Sequence, residues 1–173
     1  LKAEQVKKWF PVKKSSLLNT ITRKPPEYVR AVDGISLDIK AGETIAIVGE
    51  SGSGKTTLTR MMLNLIEPTA GKGVWRGRDV SRMDKHELFQ FRKDVQIIFQ
   101  NPGGALNPRK SVLKLLSEPL KLHYRLKSTQ LLDKVSDALT AVGLNPALHL
   151  ERHPHEFSGG QRQRLCIARA LSI

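Results

Sequence analysis

The sequence predicts an α/β fold. Three observations carry this. Thr44-Ile-Ala-Ile-Val48 is a short apolar run that ends in glycine, as a buried parallel strand does. Beyond the loop that follows, Leu58, Met61, Met62, Leu65 and Ile66 recur at helical spacing, and Pro68 marks the stop. Residues 29–39, by contrast, alternate: Ser36 and Asp38 separate Ile35, Leu37 and Ile39, the period of a half-buried strand.

The other elements follow in order. Residues 3–10 read as a strand, and 11–28 as a loop holding Pro11, Ser15-Ser16 and Pro25-Pro26. Gly71 to Val80 suggests a short hairpin around Gly77. Asp84 is a helix cap with Glu87 three residues on, the spacing of a reciprocal capping pair, and Leu88 and Phe91 share a face. Val95-Gln-Ile-Ile-Phe99 is a second buried-strand candidate ending at Gln100. Asn101-Pro102-Gly103-Gly104 and Asn107-Pro108 predict a loop over 101–110. A helix over 111–118 is expected to be interrupted by Pro119. Another, over 128–142, buries Leu131, Val135, Ala138, Leu139 and Val142 and ends at Gly143 and Pro146. A last helix runs from Gly159 to the chain end.

The bulk composition removes several classes. At 173 residues the chain has the size of one domain, and no apolar run approaches the roughly 18–20 residues of a spanning helix. A single cysteine, Cys166, excludes an internal disulfide framework and fits a reducing compartment. The net charge of +13 is scattered, with no block of like charge and no interleaved aromatics, so nucleic acid is not the expected partner. The chain starts with Leu1 and has no signal-peptide pattern, so a fragment, a processed form or part of a longer chain is expected.

Gly49-Glu50-Ser51-Gly52-Ser53-Gly54-Lys55-Thr56 fits G-x-x-x-x-G-K-S/T between the predicted strand and helix, the context a phosphate-cradling loop requires. Glycines let backbone N–H groups face phosphate oxygens, Lys55 brings charge to the β and γ phosphates, and Thr56 offers a hydroxyl to Mg²⁺. Thr57 completes the stretch. The dinucleotide fingerprint G-x-G-x-x-G fails here, because Gly52-Ser53-Gly54 is followed by Lys55-Thr56-Thr57.

A second segment, Phe157-Ser158-Gly159-Gly160-Gln161, opens the last helix. Its N-terminus can face an anion, and Ser158 can donate to phosphate. His153-Pro154-His155 just before it has no cysteine or carboxylate at metal-ligand spacing, so solvated or packing roles are expected. Cys166 falls within the helix as a small core residue.

Phe157-Ser-Gly-Gly-Gln-Arg-Gln-Arg164, followed by Ile167-Ala-Arg-Ala-Leu171, resembles the signature helix of ATP-binding cassette (ABC) proteins, with Phe157 where that family usually has Leu. The resemblance spans nearly the whole chain. It implies a P-loop NTPase (RecA-like) core with an ABC-type β subdomain and an inserted α-helical subdomain. The implied division is 1–100, 101–158 for the Q-loop and helical part, and 159–173 for the signature helix. It implies ATP held by the phosphate loop and, from a second ABC ATPase subunit, by Ser158, Gly159, Gly160 and Gln161. Mg²⁺ would be held by Thr56 and Gln100, with Lys55 and Gln100 in the catalytic set. An aromatic upstream usually stacks on adenine in this family. Phe10 matches best, with Trp9 and Tyr28 as rivals.

Phe10-Pro-Val-Lys-Lys14, Ala31-Val-Asp-Gly-Ile35, Phe99-Gln-Asn-Pro102, Ala105-Leu-Asn-Pro-Arg109 and Arg152-His-Pro-His-Glu-Phe157 are similar to the ATP-binding subunits of oligopeptide and dipeptide (peptide/nickel) importers. Gly103-Gly104 departs from the bulkier residues often found there. The resemblance implies transmembrane permease subunits, a solute-binding protein acting through them, and a place on the cytoplasmic face of the membrane. Family members continue into an Asp-Glu strand end that serves Mg²⁺ and the attacking water. Asp79, Asp84 and Asp94 stand in the wrong order to replace it. Residues 1–173 alone are therefore expected to hydrolyse ATP negligibly and to leave an open sheet edge, because the C-terminal part of the core sheet is missing. The competing expectations are a soluble ABC-type ATPase acting on nucleic acid or the ribosome, and a regulator that binds without hydrolysis.

Overall fold

A computed structural model describes residues 1–12 and 27–173. Most of the loop expected between the first two strands, with Ser15-Ser16 and Pro25-Pro26, lies outside the described residues. The described chain divides into two compact units, Leu1–Phe91 and Arg92–Ile173.

The first unit contains strands β1 (Lys2–Pro11) and β2 (Tyr28–Asp38), helix α1 (Lys55–Met62), and strands β3 (Ala70–Trp75) and β4 (Arg78–Asp79). All strand pairs are antiparallel, in the order β2-β1-β3-β4. The hairpin turn at Gly77 is as the sequence predicts, but the alternation in β2 is only partial: Leu37 is half-buried between exposed Ser36 and Asp38, whereas Ile35 is exposed. The centre of the sheet is less regular. Gln5 takes φ 46, and the register of β1 shifts between Ala3 and Val6 against β2 and between Glu4 and Lys7 against β3. That bulge turns both Ala3 and Val6 inward, where they pack with Val32, Leu58, Met61 and Met62. It also brings the Gln5 carbonyl against β3: a Cβ on Gly71 would stand 2.2 Å from that oxygen.

Helix α1 ends earlier than its apolar spacing predicts. Asn64 adopts φ 51, and Leu65 and Ile66 turn back to donate to the Arg60 carbonyl at 2.8 and 3.3 Å. A left-handed residue past the last turn stops a helix by satisfying its final carbonyls. Ile66 still packs against the core, so its spacing reports burial and not helix.

Neither predicted buried strand forms. Residues 44–48 and 95–99 belong to no strand, and among the described residues neither is paired into a sheet. Val48 is 92% exposed, and Ile47, Ile98 and Phe99 are also exposed. Apolar sequence specifies burial, but a parallel strand also needs a neighbour supplied by a distant segment.

Helix α2 (Lys85–Asp94) carries the junction between the units. Its predicted capping pair forms: Glu87 N–H donates to Asp84 at 2.8 Å, and Asp84 N–H donates to Glu87 at 3.2 Å. The second unit continues with α3 (Pro102–Ala105), α4 (Val112–His123), α5 (Ser128–Ala141), α6 (Pro146–His149) and α7 (Gly159–Leu171). Part of the expected 101–110 loop is thus a short helix, started by Asn101 and Pro102. Its core draws Val112, Leu115, Leu116 and Leu120 from α4, Val135 and Leu139 from α5, and Leu165 and Ala168 from α7.

Helix α4 runs through Pro119 and is not interrupted there. An interior proline costs about 3 kcal/mol. Leu115, Leu116 and Leu120 are at most 1% exposed, and burying each contributes about 1.5–3 kcal/mol, enough together to carry the helix past the proline.

Candidate functional site

The glycine-rich loop sits between the unpaired segment 44–48 and α1. The Lys55 ammonium folds back over it, donating to the Gly49 carbonyl at 2.7 Å, the Glu50 carbonyl at 2.5 Å and Ser53 Oγ at 3.3 Å. Ser53 N–H closes a turn on the Glu50 carbonyl at 3.2 Å. Gly54 leads into α1 at φ 95, and a Cβ there would stand 2.1 Å from the Ala31 carbonyl oxygen of β2. No side chain caps α1, and no acidic residue lies in its first turn. The helix therefore presents N–H groups and its positive dipole end with no carboxylate of its own competing. Thr56 is exposed in that first turn, with Thr57 beside it. A cleft of about 550 Å³ lies between β2 and the loop, lined by Ala31, Val32 and Asp33 on one side and Gly49, Ser53, Gly54 and Lys55 on the other. The geometry suits an anion with several oxygens.

The aromatic candidates separate. The Trp9 indole N–H donates to Asp33 at 3.3 Å, and the cations of Arg30 and Lys7 lie 4.8 and 5.7 Å from its ring centroid. Tyr28 stands against the same indole, with ring centroids 6.4 Å apart. Phe10 pairs across the sheet with Val29 and is 39% exposed, with the Lys8 ammonium 5.4 Å from its ring. The Trp9–Arg30–Asp33 cluster had no warning in the sequence, because Trp9 of β1 meets Arg30 and Asp33 of β2 only through strand pairing.

The remaining candidates lie in the second unit. Gln100 is exposed at the end of the unpaired stretch 95–99. Asn101 follows as the cap of α3, its side chain accepting from Gly103 N–H at 3.1 Å. Farther on, Ser158 and Gln161 cap each other: Ser158 N–H donates to Gln161 Oε1 at 3.0 Å, and Gln161 N–H donates to Ser158 Oγ at 3.3 Å. The Ser158 hydroxyl proton remains available as a donor. Gly159 and Gly160 have ordinary helical geometry, and a Cβ on either would meet nothing within 4 Å. Neither backbone strain nor internal crowding therefore requires glycine at these two exposed positions.

Behind this loop, Phe157 is buried. His149 packs against it at 5.3 Å between centroids, and the Arg152 guanidinium lies 5.1 Å from its ring. The His153 N–H donates to Glu156 at 2.6 Å and holds that carboxyl below its ordinary pKa; burial opposes it, and the charges of Arg152, His155 and His153 add to the lowering. Burial pushes the Cys166 thiol upward despite nearby Arg169, so it is no reactive thiolate. Among the described residues, no three His, Cys, Asp or Glu side chains gather as metal ligands.

A phosphate-type loop opening a helix beside an antiparallel sheet, together with a helical unit whose last helix opens on Ser-Gly-Gly, defines a P-loop nucleotide-binding cassette. The chain belongs to the ABC transporter family, whose model matches residues 32–173. It is 44% identical over 174 residues to the oligopeptide transport ATP-binding protein AppF of Bacillus subtilis (strain 168), covering 100% of this chain and 51% of AppF. It is 42% identical over 173 residues to the dipeptide transport ATP-binding protein DppF of Escherichia coli (strain K12), covering 100% of this chain and 50% of DppF. The chain thus spans about half the length of the curated relatives it matches. Its fold is similar to that of the ATP-binding cassette MJ0796, solved as a dimer in a post-hydrolysis state bound to ADP and Pi. The TM-score is 0.81 at 29% identity, over 99% of this chain and 68% of that one.

Proposed function

We propose that these residues form part of an ATP-hydrolysing subunit that powers import of peptides or related solutes through an ABC transporter. The observation that carries the reading is the Lys55 ammonium held on the Gly49 and Glu50 carbonyls at the uncapped start of α1. On ATP binding, Lys55 exchanges those carbonyls for β- and γ-phosphate oxygens, and the first N–H groups of α1 face the same phosphates. Phe10 is favoured for the adenine face, since Trp9 is already bonded to Asp33 and faced by two cations.

Thr56 would hold Mg²⁺, its hydroxyl being a hard oxygen donor that suits the ion, and the amide carbonyl of Gln100 is a donor of the same kind. When bound, that ion neutralises charge between the phosphates. Ser158, Gly159, Gly160 and Gln161 would meet ATP held by a second cassette, and the open space before both glycines leaves room for that approach. The partners are then another ABC ATPase subunit and transmembrane permease subunits, with a solute-binding protein acting through them. The likeness to AppF and DppF supports peptides as the transported class. No helix among the described residues is long and apolar enough to cross a membrane. A peripheral place on the cytoplasmic face, held by the permease, fits that observation.

The test is calorimetric titration of the longer subunit with Mg-ATP. Lys55→Ala should weaken binding by about tenfold or more, with melting little changed because the carbonyls it releases are at the surface. Equal affinity in both proteins would refute the reading.

A further inference from the structure

We infer that Arg169 is a positioning residue that ties the far end of the signature helix α7 to α3, directly behind Gln100. This rests on the reading of Gln100 and Ser158 given above. The Arg169 guanidinium donates to the Ala105 carbonyl at 3.0 Å, across 64 residues of sequence. Ala105 is the last residue of α3, and Asn101 caps its first turn through Gly103 N–H at 3.1 Å. The four-residue helix after Gln100 is thus fixed at its start by its own cap and at its end by Arg169. Leu106, the next residue, is 2% exposed in the core that also holds Leu165 and Ala168 of α7.

A helix is stiff along its length. Arg169 stands about 16 Å along α7 from Ser158. A shift of the Gln100–Asn101 turn that drags α3 therefore pulls on one end of α7 and tilts Ser158 at the other. A charged fork suits this task, since guanidinium–carbonyl bonds are stronger than neutral ones. An apolar side chain there would pack but would transmit no directed pull.

The experiment uses the longer subunit that carries these residues, as wild type, Arg169→Met and Arg169→Lys. Methionine keeps the apolar stem and removes the donor; lysine keeps a donor. Without nucleotide, Arg169→Met should speed amide exchange over 101–106 by about tenfold, with α4 and α5 unchanged. With permease and Mg-ATP, its hydrolysis should fall about 10–100-fold, the cost of a small misplacement far from the chemistry. ATP affinity should stay within about twofold. Arg169→Lys should lie within about threefold of wild type in both measurements. The inference is overturned if exchange over 101–106 does not change in Arg169→Met, if hydrolysis stays at the wild-type rate, or if binding falls in step with hydrolysis. It is also overturned if Arg169→Lys behaves like Arg169→Met, or if Arg169→Met does not fold and Arg169→Lys shows faster exchange over 101–106. A wild-type subunit that binds no ATP would refute the nucleotide reading instead, and exchange would still decide the tie.

Discussion

Gly54 and the Ala31 carbonyl of β2 are in such close approach that a Cβ on Gly54 would stand 2.1 Å from the oxygen, at a backbone φ of 95. Both crowding and left-handed geometry therefore demand glycine here. Gly54→Ala is expected to destabilise by about 2 kcal/mol or more. Chemical denaturation of the variant checks this, and an unchanged midpoint would show that β2 yields.

Gly160 offers the contrast. Nothing lies within 4 Å of a Cβ there, and its backbone is ordinary helix. Gly160→Ala should leave stability unchanged or raise it by about 0.5 kcal/mol. Hydrolysis by the assembled subunit should nonetheless fall, because the methyl group would stand where the second cassette closes. A variant that melts no lower and hydrolyses at the wild-type rate would remove the proposed closing contact.

Phe10→Ala and Trp9→Ala should part company in the same way. Loss of a stacking face at Phe10 should weaken ATP binding by about 1 kcal/mol, roughly fivefold, with little change in melting. Trp9 holds Asp33 and faces Arg30 and Lys7, so its removal should lower melting more than affinity. The reverse pattern in titration and melting would give the adenine face to Trp9.

Pro119→Ala should stabilise the helical unit. It restores a donor for the Leu115 carbonyl in the interior of α4. Relief of the roughly 3 kcal/mol proline penalty, less about 1 kcal/mol of regained unfolded-chain freedom, gives about 1–2 kcal/mol. Thermal melting should show the rise, and a fall would mean the proline is matched to a bend the core requires.

Glu156 has a pKa depressed below the ordinary 4.5, chiefly by the His153 N–H. Its stabilising contribution is fully present above the unfolded value and is lost as pH falls through the lower, folded value. Glu156→Gln should therefore flatten part of the acid limb of a stability profile and leave that limb's neutral end lower. Denaturant midpoints measured from about pH 3 to 7 decide this. Parallel profiles for both proteins would show that the carboxylate contributes nothing through its charge.

The parts of the site that were legible in the sequence are those set by near neighbours. The motifs located Lys55, Ser158 and Gln161, although their spacing pointed to phosphate and not to the bonds seen: Lys55 on acceptors two to six residues away, and Ser158 and Gln161 capping each other three apart. The Asp84–Glu87 pair has the same reach. Where partners are remote the sequence was silent or misleading. Leu65 and Ile66 carry a helical spacing past a helix that Asn64 has already ended. The apolar runs 44–48 and 95–99 promise strands that only a neighbouring strand could make.

By itself, then, the sequence determined the glycine-rich loop before α1, the Asp84–Glu87 cap, the strands β1 and β2 and the family, because spacing and local hydrogen bonding need only a few consecutive residues. Tertiary structure alone decided that β1 lies between β2 and β3 with a bulge at Gln5, that α4 passes Pro119, and that Arg169 reaches Ala105. Each of those outcomes depends on contacts between residues far apart in the chain. Their free energy comes from burying whole faces together, which no short window of sequence contains.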